Sequence, residues 1–258
     1  MQNNYTKQEM LDKVGTYEFL AEPFHCDFSN RLFMGHLGNH LLNAADFHSN
    51  DRNFGMNYLH TINKTWVLSR LAIEMEEMPL AYTRFNVETW VENALRFFTN
   101  RNFKVSDVKD GKVYGYGKSV WAMIDLETRK PCDLLTLYDG DILRYIVPEE
   151  ENVCPIEGHG RFRFREPQLI RTIDTYYSDV DINGHINSIK YIEHILDLFP
   201  KERFEQGGIR RFEIAYKAES YLGDRLSFYE QTISEKETDI EVRKNEGDVV
   251  CQAKVCFK

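Results

Sequence analysis

The sequence predicts an α+β fold made of two copies of one unit, each with a single helix and several antiparallel strands. In each half a Gly-His pair, at 35–36 and at 184–185, precedes one helix-like stretch, and strand-like stretches follow it. Aligning these pairs, and segment 70–75 with 211–216, matches the halves at spacings of 149 and 141 residues. Duplication is the simplest account of this repeat, and chance similarity of two short anchors is the alternative.

The first half begins with an extended segment at 15–26, which leads through the Gly-His pair into the helix. Apolar residues define one face of this helix: Leu41, Leu42, Ala44, Ala45 and Phe47. β-branched and aromatic residues then mark four strands, with an Asp-Gly turn before the last of them. These strands are predicted at 66–74, 85–91, 95–105 and 113–124.

Residues 147–167 interrupt the pattern with Pro, Gly and acidic residues and an alternating Arg-Phe run. They are predicted to link a domain at 1–146 to a domain at 168–258. The second domain repeats the first, with a helix from Ile186 to Phe199. Its strands are predicted at 171–177, 208–219, 225–233, 238–243 and 248–257, with a hairpin turn at 245–248.

Composition narrows the function classes. The chain has 258 residues, 42% of them hydrophobic and only seven of them Pro, so it is expected to fold throughout. A polar start and the absence of a long apolar run predict a cytoplasmic protein without membrane insertion. The formal charge of −9 disfavours nucleic acid as a partner. Five scattered cysteines without a CxxC pair predict reduced, structural thiols.

The stretch at 181–187, Asp-Ile-Asn-Gly-His-Ile-Asn, is the strongest candidate for chemistry. It is a polar turn placed directly before a helix, where unpaired N–H groups and the positive helix end favour a developing negative charge. The N–H groups of Gly184 and His185 are therefore candidates for holding a reacting carbonyl oxygen, with Asp181 and Asn183 beside them. The alternative is that Asp181 or Asn183 only caps the helix and that His185 packs in its first turn.

The two halves differ at this turn. In the alignment above, Leu32 and Met34 stand where Asp181 and Asn183 stand in the second half. The first copy is thus predicted to have lost the catalytic acid. Its apolar replacements suit a half that shapes an apolar pocket.

Further motifs carry a family resemblance: Trp66…Glu74…Pro79, Glu88–Val91, Arg101–Phe103, Ser119–Asp125 and Thr128–Pro131. With them, and with the Asp-x-Asn-x-His element, nearly the whole chain resembles the acyl-acyl carrier protein thioesterase family. The Asp-x-Asn-x-His element alone is shared more loosely with single-domain relatives. The resemblance implies two tandem hotdog domains, each a helix wrapped by an antiparallel sheet. It implies hydrolysis of fatty acyl-acyl carrier protein, which releases free fatty acid and ends chain elongation, without a cofactor or a metal.

Carried over from the family, the catalytic group is Asp181, Asn183 and His185 together with Glu219. Asp181 either attacks the thioester carbonyl or orients water, and both routes stay open. His185 and Glu219 form the general-base pair, and Asn183 positions the carbonyl or the attacking group. Plant members have a cysteine directly after the glutamate. Here the residue is Ser220, to which we assign no role.

Two surfaces are predicted with less support. The pocket floor is expected to include Leu32, Met34, Trp66 and Met75, although a preference for one chain length is too small a packing difference to predict. A cationic patch is expected to meet the acidic carrier, and an ordinary solvated strand face is the competing interpretation. The patch comprises Arg161, Arg163, Arg165, Arg171, Arg210 and Arg211.

Three alternatives stay open from the sequence. The same site would also serve an acyl-CoA thioesterase, and a non-catalytic acyl-binding hotdog protein would keep the fold. Tandem hotdogs mimic a dimer within one chain, and such units can pair again as a homodimer. His36 and His40 have the i, i+4 spacing of zinc ligands, but without a third ligand they are better explained as core or surface histidines.

Overall fold

One antiparallel sheet of ten strands runs through both halves of the protein. The computed structural model describes residues 11–245 and 247–258, so residue 246 of the expected hairpin turn and the first ten residues of the expected first domain lie outside the described residues. The sheet order is β1-β3-β4-β5-β2-β7-β10-β9-β8-β6. None of the helices within the described ranges is long and apolar enough to cross a membrane.

Each predicted strand or extended segment overlaps an observed strand, but β6 lies three residues earlier than predicted and several other ends differ by three residues or more. In the first half they are β1 (Gly15–Leu20), β2 (Lys64–Met75), β3 (Arg84–Ala94), β4 (Phe98–Asp107) and β5 (Val113–Asp125). In the second half they are β6 (Gln168–Asp174), β7 (Ile209–Tyr216), β8 (Arg225–Ser234), β9 (Glu237–Lys244) and β10 (Asp248–Phe257). The second five appear in the sheet in the mirror order of the first five, as expected for a duplicated unit whose copies meet between β2 and β7.

The helices lie against one face of each half. They are α1 (Met34–Asp51), α2 (Met56–Leu59), α3 (Ser188–Leu196) and α4 (Lys201–Glu205). Gly35 and Gly38 let α1 approach α3, because a Cβ on Gly38 would lie 2.8 Å from the Cδ1 atom of Ile189. A 3₁₀ segment at Leu134–Tyr145, which the sequence did not predict, follows β5.

The helix α3 of the second half starts two residues later than predicted. Asn187 is its N-cap, and its side-chain oxygen accepts a hydrogen bond from the N–H of Ile189 at 2.9 Å. Neither Asp181 nor Asn183 caps the helix, and Phe199 lies beyond its end. The helix prediction from apolar period was right in type and wrong at both boundaries, because the cap and not the first isoleucine sets the start.

The core fills the space between the sheet and the two long helices. Four fully buried phenylalanines from β3, β4, β7 and β8 anchor it: Phe85, Phe103, Phe212 and Phe228. Burying a side chain of this size stabilises the fold by roughly 1.5–3 kcal/mol. The predicted α+β architecture, a helix wrapped by antiparallel strands in each half, is therefore confirmed.

The true repeat of the turn differs from the one predicted. A bridge between Cys26 and Leu32 precedes α1, and a bridge between Val180 and Ile186 precedes α3, which sets the spacing there at 154 residues. Leu32 therefore matches Ile186 and not Asp181. The strand segments 70–75 and 211–216 still match at a spacing of 141 residues, so the first half has 13 more residues between the turn and the strand, and the Gly-His pairs at 149 match neither spacing.

The first copy has kept its acid, so the prediction that it was lost is wrong. Asp27 stands where Asp181 stands, and its Oδ1 atom accepts from the N–H of Ser29 at 2.8 Å and of Arg31 at 3.3 Å. The N–H of Asn30, at a φ of 63°, donates to the carbonyl of Asp27 at 3.0 Å. What the first copy lacks is the amide and the imidazole, because Ser29 and Arg31 occupy the positions of Asn183 and His185.

The linker is packed against the sheet. Its Gly160 N–H donates to Oε2 of Glu213 at 2.8 Å, and its carbonyl accepts from Nη1 of Arg70 at 2.9 Å. Trp90 donates its indole N–H to Oδ1 of Asn152 at 2.7 Å. These contacts attach the linker to strands of both halves, and the Arg-Phe run that follows them is irregular.

A buried histidine ties the start of the described chain to α1. His48 is 0% exposed, and its Nε2 donates to the carbonyl of Lys13 at 3.0 Å. Burial, with Arg101 and Arg52 nearby, lowers its pKa from 6.5 to about 2. The ring is thus neutral in the folded protein at pH values where it is charged in the unfolded chain.

This histidine should make the fold acid-sensitive. Below about pH 6.5 the His48 ring binds a proton in the unfolded chain but not in the folded protein. The contribution of His48 to the free energy of unfolding is therefore complete above about pH 6.5 and declines below it by about 1.4 kcal/mol per pH unit. Urea unfolding of the wild type and of His48→Gln from pH 7 to pH 4 measures this slope. We expect the variant, whose amide retains a donor for Lys13, to have the shallower slope; parallel slopes would contradict the assignment.

Candidate active site

The turn at 181–187 closes on the carboxylate of its first residue. Oδ1 of Asp181 accepts from the N–H of Asn183 at 2.8 Å and of His185 at 3.2 Å. The N–H of Gly184, at a φ of 80° that favours glycine, donates to the carbonyl of Asp181 at 3.0 Å. Oδ2 of Asp181 has no protein hydrogen-bond partner within the described ranges, so one carboxylate oxygen builds the turn and the other stays available.

These bonds correct the predicted oxyanion site. The N–H groups of Gly184 and His185 both have acceptors within the turn, and the helix begins only at Ser188. Neither N–H is therefore a free donor at a helix N-terminus. Besides Oδ2 of Asp181, the side-chain amide of the exposed Asn183 is a polar group of the turn that remains uncommitted among the described residues.

Glu219 reaches the turn from the second half's own sheet. It is the third residue after β7, and the neighbouring Ser220 carbonyl accepts from the N–H of Ile186 at 2.8 Å, which fastens the loop to the turn. Nε2 of His185 lies 3.5 Å from Oε2 of Glu219. The hydroxyl of Tyr221 donates to the same oxygen at 3.3 Å. The residues predicted as a general-base pair are thus neighbours.

An arginine that the prediction missed completes this group. Arg129, in the loop after β5 of the first half, forms an ion pair with Oε1 of Glu219. The only sequence signal was its place in the Thr-Arg-Lys-Pro motif at 128–131. The catalytic candidates of the second half are therefore in contact with the first half.

All four catalytic candidates line one cavity of about 1030 Å³. Its remaining walls come largely from the first half. The apolar lining includes Leu42, Phe54, Met56, Trp66, Val67, Leu68, Trp121 and Ile142. The cavity thus places an apolar wall beside the turn and Glu219.

Only one of the four predicted pocket residues lines this cavity. Trp66 does, and its indole N–H donates to the carbonyl of Phe54 at 2.7 Å. Leu32, Met34 and Met75 are 1%, 5% and 1% exposed and belong to the core. The 149-residue alignment that places Leu32 and Met34 at the turn does not indicate which side chains face a cavity.

Polar side chains also line the cavity, near the end of α1. Arg101 donates from Nη1 to Oγ1 of Thr89 and from Nη2 to Oγ of Ser49, both at 3.1 Å. Burial lowers the pKa of Arg101 to about 10. The pocket is therefore not uniformly apolar, which the sequence did not predict.

Ser220, His36 and His40 contact residues outside the candidate catalytic group. Ser220 is 0% exposed, and its hydroxyl pairs with that of Tyr191 behind the site. His40 packs on Phe19 and Phe85, with ring centroids 4.6 and 5.4 Å away. His36 stacks on His25 at 4.1 Å.

The six arginines of the predicted patch do not share one environment. Arg161, Arg163 and Arg165 are exposed along the linker. Arg211 is buried and bonds to Glu74 at 2.9 Å and Glu213 at 2.7 Å, so it is removed from the patch. Of the other two, Arg171 donates to the Asp197 carbonyl at 3.0 Å, and Arg210 lies 3.5 Å from Glu74.

Comparison with known proteins agrees with this geometry. The family model for the acyl-ACP thioesterase N-terminal domain matches residues 13–138, and the model for the C-terminal domain matches residues 165–258. An acyl-ACP thioesterase structure from Bacteroides thetaiotaomicron is 58% identical, with 95% of this chain and 98% of that chain covered and a TM-score of 0.89. The chain belongs to the acyl-ACP thioesterase family.

More distant relatives extend the comparison. The structure of the 12:0-ACP thioesterase from Umbellularia californica has a TM-score of 0.81 at 19% identity, over 96% of this chain and 98% of that one, and so shares the fold. Oleoyl-acyl carrier protein thioesterase 2 of Arabidopsis thaliana is 26% identical over 176 residues, or 66% of this chain. This family member spans about half the length of the curated relatives it matches. The tandem hotdog fold predicted for it is confirmed.

Proposed function

We propose that this acyl-ACP thioesterase family member hydrolyses the thioester of fatty acyl-acyl carrier protein and releases the free fatty acid. The observation that carries the proposal is the composite cavity. Acid, amide, imidazole and glutamate of the second half line the same space as the apolar wall of the first half. A fatty acyl chain can lie on that wall while its thioester carbonyl is beside Asp181.

The reaction consumes one water and yields a carboxylic acid and a thiol. We assign the uncommitted Oδ2 of Asp181 to the attack on the carbonyl or to the orientation of water, because Oδ1 already accepts two N–H groups. The amide of Asn183 is the donor available to the carbonyl oxygen. His185 accepts the proton, and Glu219, 3.5 Å away, orients its ring and tightens on substrate binding.

The carrier protein is proposed to dock on the exposed linker arginines. Arg161, Arg163 and Arg165 alternate with the partly buried Phe162 and Phe164, so three exposed cations lie within five residues of the linker. An acidic partner gains association rate from such a row of charges, and the gain falls with ionic strength. Coenzyme A carries the same thioester without the protein surface and would gain less.

Thiol release from matched acyl-carrier and acyl-CoA substrates of several chain lengths tests both points. We expect turnover with the carrier substrate to exceed that with CoA, and Arg163→Glu to lower kcat/KM for the carrier substrate by roughly tenfold at low salt. Arg84→Glu, at an exposed arginine paired with Glu18, is the matched control. If Arg163→Glu lowered kcat/KM equally for the CoA substrate, docking at the linker would be refuted. If no thioester released thiol, the alternative of a non-catalytic acyl-binding protein would be favoured.

A further inference from the structure

The loop that follows β5 is held rigidly by one aspartate. Oδ1 of Asp125 accepts from the N–H groups of Glu127 and Thr128 at 3.1 and 2.7 Å and from the Thr128 hydroxyl at 2.9 Å. The N–H of Arg129 donates to the Asp125 carbonyl at 2.9 Å, and that of Asp125 donates to the Lys130 carbonyl at 3.0 Å. The backbone of Arg129 is therefore fixed on both sides.

This fixed backbone is left-handed, with a φ of 57° at Arg129. Of the six non-glycine residues with positive φ in the described ranges, four are asparagines, and only Tyr82 and Arg129 are not. Asparagine tolerates this conformation, whereas a residue such as arginine is disfavoured in it by roughly 1–2 kcal/mol. The turn itself gives no reason for an arginine, and strain of this kind is concentrated at functional positions.

The side chain supplies the reason. From the first half, the guanidinium reaches Glu219 of the second half and pairs with Oε1. The other oxygen, Oε2, faces His185 at 3.5 Å and accepts from Tyr221 at 3.3 Å. Arg129 and Glu219 both line the catalytic cavity, with their side chains 39% and 32% exposed. One oxygen is thus tethered while the other faces the imidazole.

We propose that Arg129 is a positioning residue, which fixes the Glu219 carboxylate so that Oε2 orients His185. The inference rests on the proposed hydrolysis at this site and adds Arg129 to the pair formed by His185 and Glu219. The first half then contributes to catalysis as well as to the wall of the cavity. A strained backbone bearing a side chain with a fixed target gives better alignment than a flexible surface arginine, and misalignment of about 1 Å can cost 10²-fold in rate.

A double-mutant cycle tests this coupling. We expect Arg129→Gln to lower kcat roughly 10- to 100-fold with KM within about twofold. Arg129→Lys, which keeps the charge without the fork, should recover part of the loss. When Glu219→Gln is already present, adding Arg129→Gln should not lower kcat further, because Arg129 acts through the Glu219 carboxylate. Single-turnover measurements with enzyme in excess reach the low rates of the double variant.

Several results would overturn the proposal. Losses that multiply in the double variant, or a rise in KM alone, would place Arg129 on the substrate. An unchanged kcat would reduce the pair to a surface ion pair. Arg129→Asn, which suits the turn, should not lower the melting temperature, and the exposed neighbour Lys130→Gln is the matched activity control. If the wild type itself releases no thiol, the proposed hydrolysis fails. If the wild type is active but the Arg129 variants do not show the expected rates, only the positioning role fails.

Discussion

Asp181→Asn is expected to lower kcat for thiol release by about 10²–10⁴-fold, the usual loss when a positioned acid or base is removed. The asparagine side chain retains an oxygen that can accept from Asn183 and His185 as Oδ1 does, so the turn should keep its shape. What disappears is the second carboxylate oxygen, which has no protein partner among the described residues. The comparison therefore separates chemistry from turn formation.

The duplicated unit supplies a control at an equivalent position. Asp27→Asn changes the same residue type in a turn with the same two N–H contacts to Oδ1. Because Arg31 replaces the imidazole there, we expect activity within about twofold of the wild type. Rates and melting temperatures of both variants are measured together. Equal rate losses at the two positions would mean that the aspartate acts only through the fold, and a fully active Asp181→Asn would remove it from the mechanism.

Much of the fold follows from local pattern. β-branched and aromatic runs locate the strands because a half-buried pleated surface selects such residues, and β10 begins and ends where predicted. The 154-residue spacing between the two turns could not be predicted from local pattern. The Gly-His pair at 35–36 lies inside α1, whereas that at 184–185 lies in the turn before α3, so identical residues stand in different structures.

The candidate site was predicted in part for a similar reason. Asp181, Asn183 and His185 are close in sequence, and the family resemblance indicated Glu219. These four residues therefore come from only two segments of the chain. Arg129 comes from a strand loop 90 residues from Glu219. Leu68 and Trp121 face the cavity through the register of β2 and β5. Contacts of this kind depend on strand pairing, which periodicity does not specify.

Arg211→Leu is expected to destabilise the protein by about 3–5 kcal/mol, the usual result of breaking a buried ion pair from one side. Arg211 donates to Glu74 of β2 at 2.9 Å and to Glu213 of β7 at 2.7 Å. It also donates to the linker carbonyls of Glu157 and Gly158 at 3.2 and 3.0 Å. Its loss removes the buried cation between Glu74 and Glu213, where β2 and β7 join the halves, and leaves the carbonyls of Glu157 and Gly158 without this donor.

Arg210 is the matched control, one position along the same strand. Its side chain is 61% exposed and lies 3.5 Å from Glu74, so Arg210→Leu should cost less than about 1 kcal/mol. Urea unfolding measures both free energies. Adding Glu74→Gln and Glu213→Gln to Arg211→Leu should restore part of the loss, because the uncompensated charges are then gone. Equal, small losses for Arg210→Leu and Arg211→Leu would mean that strand pairing and apolar contacts alone join the two halves.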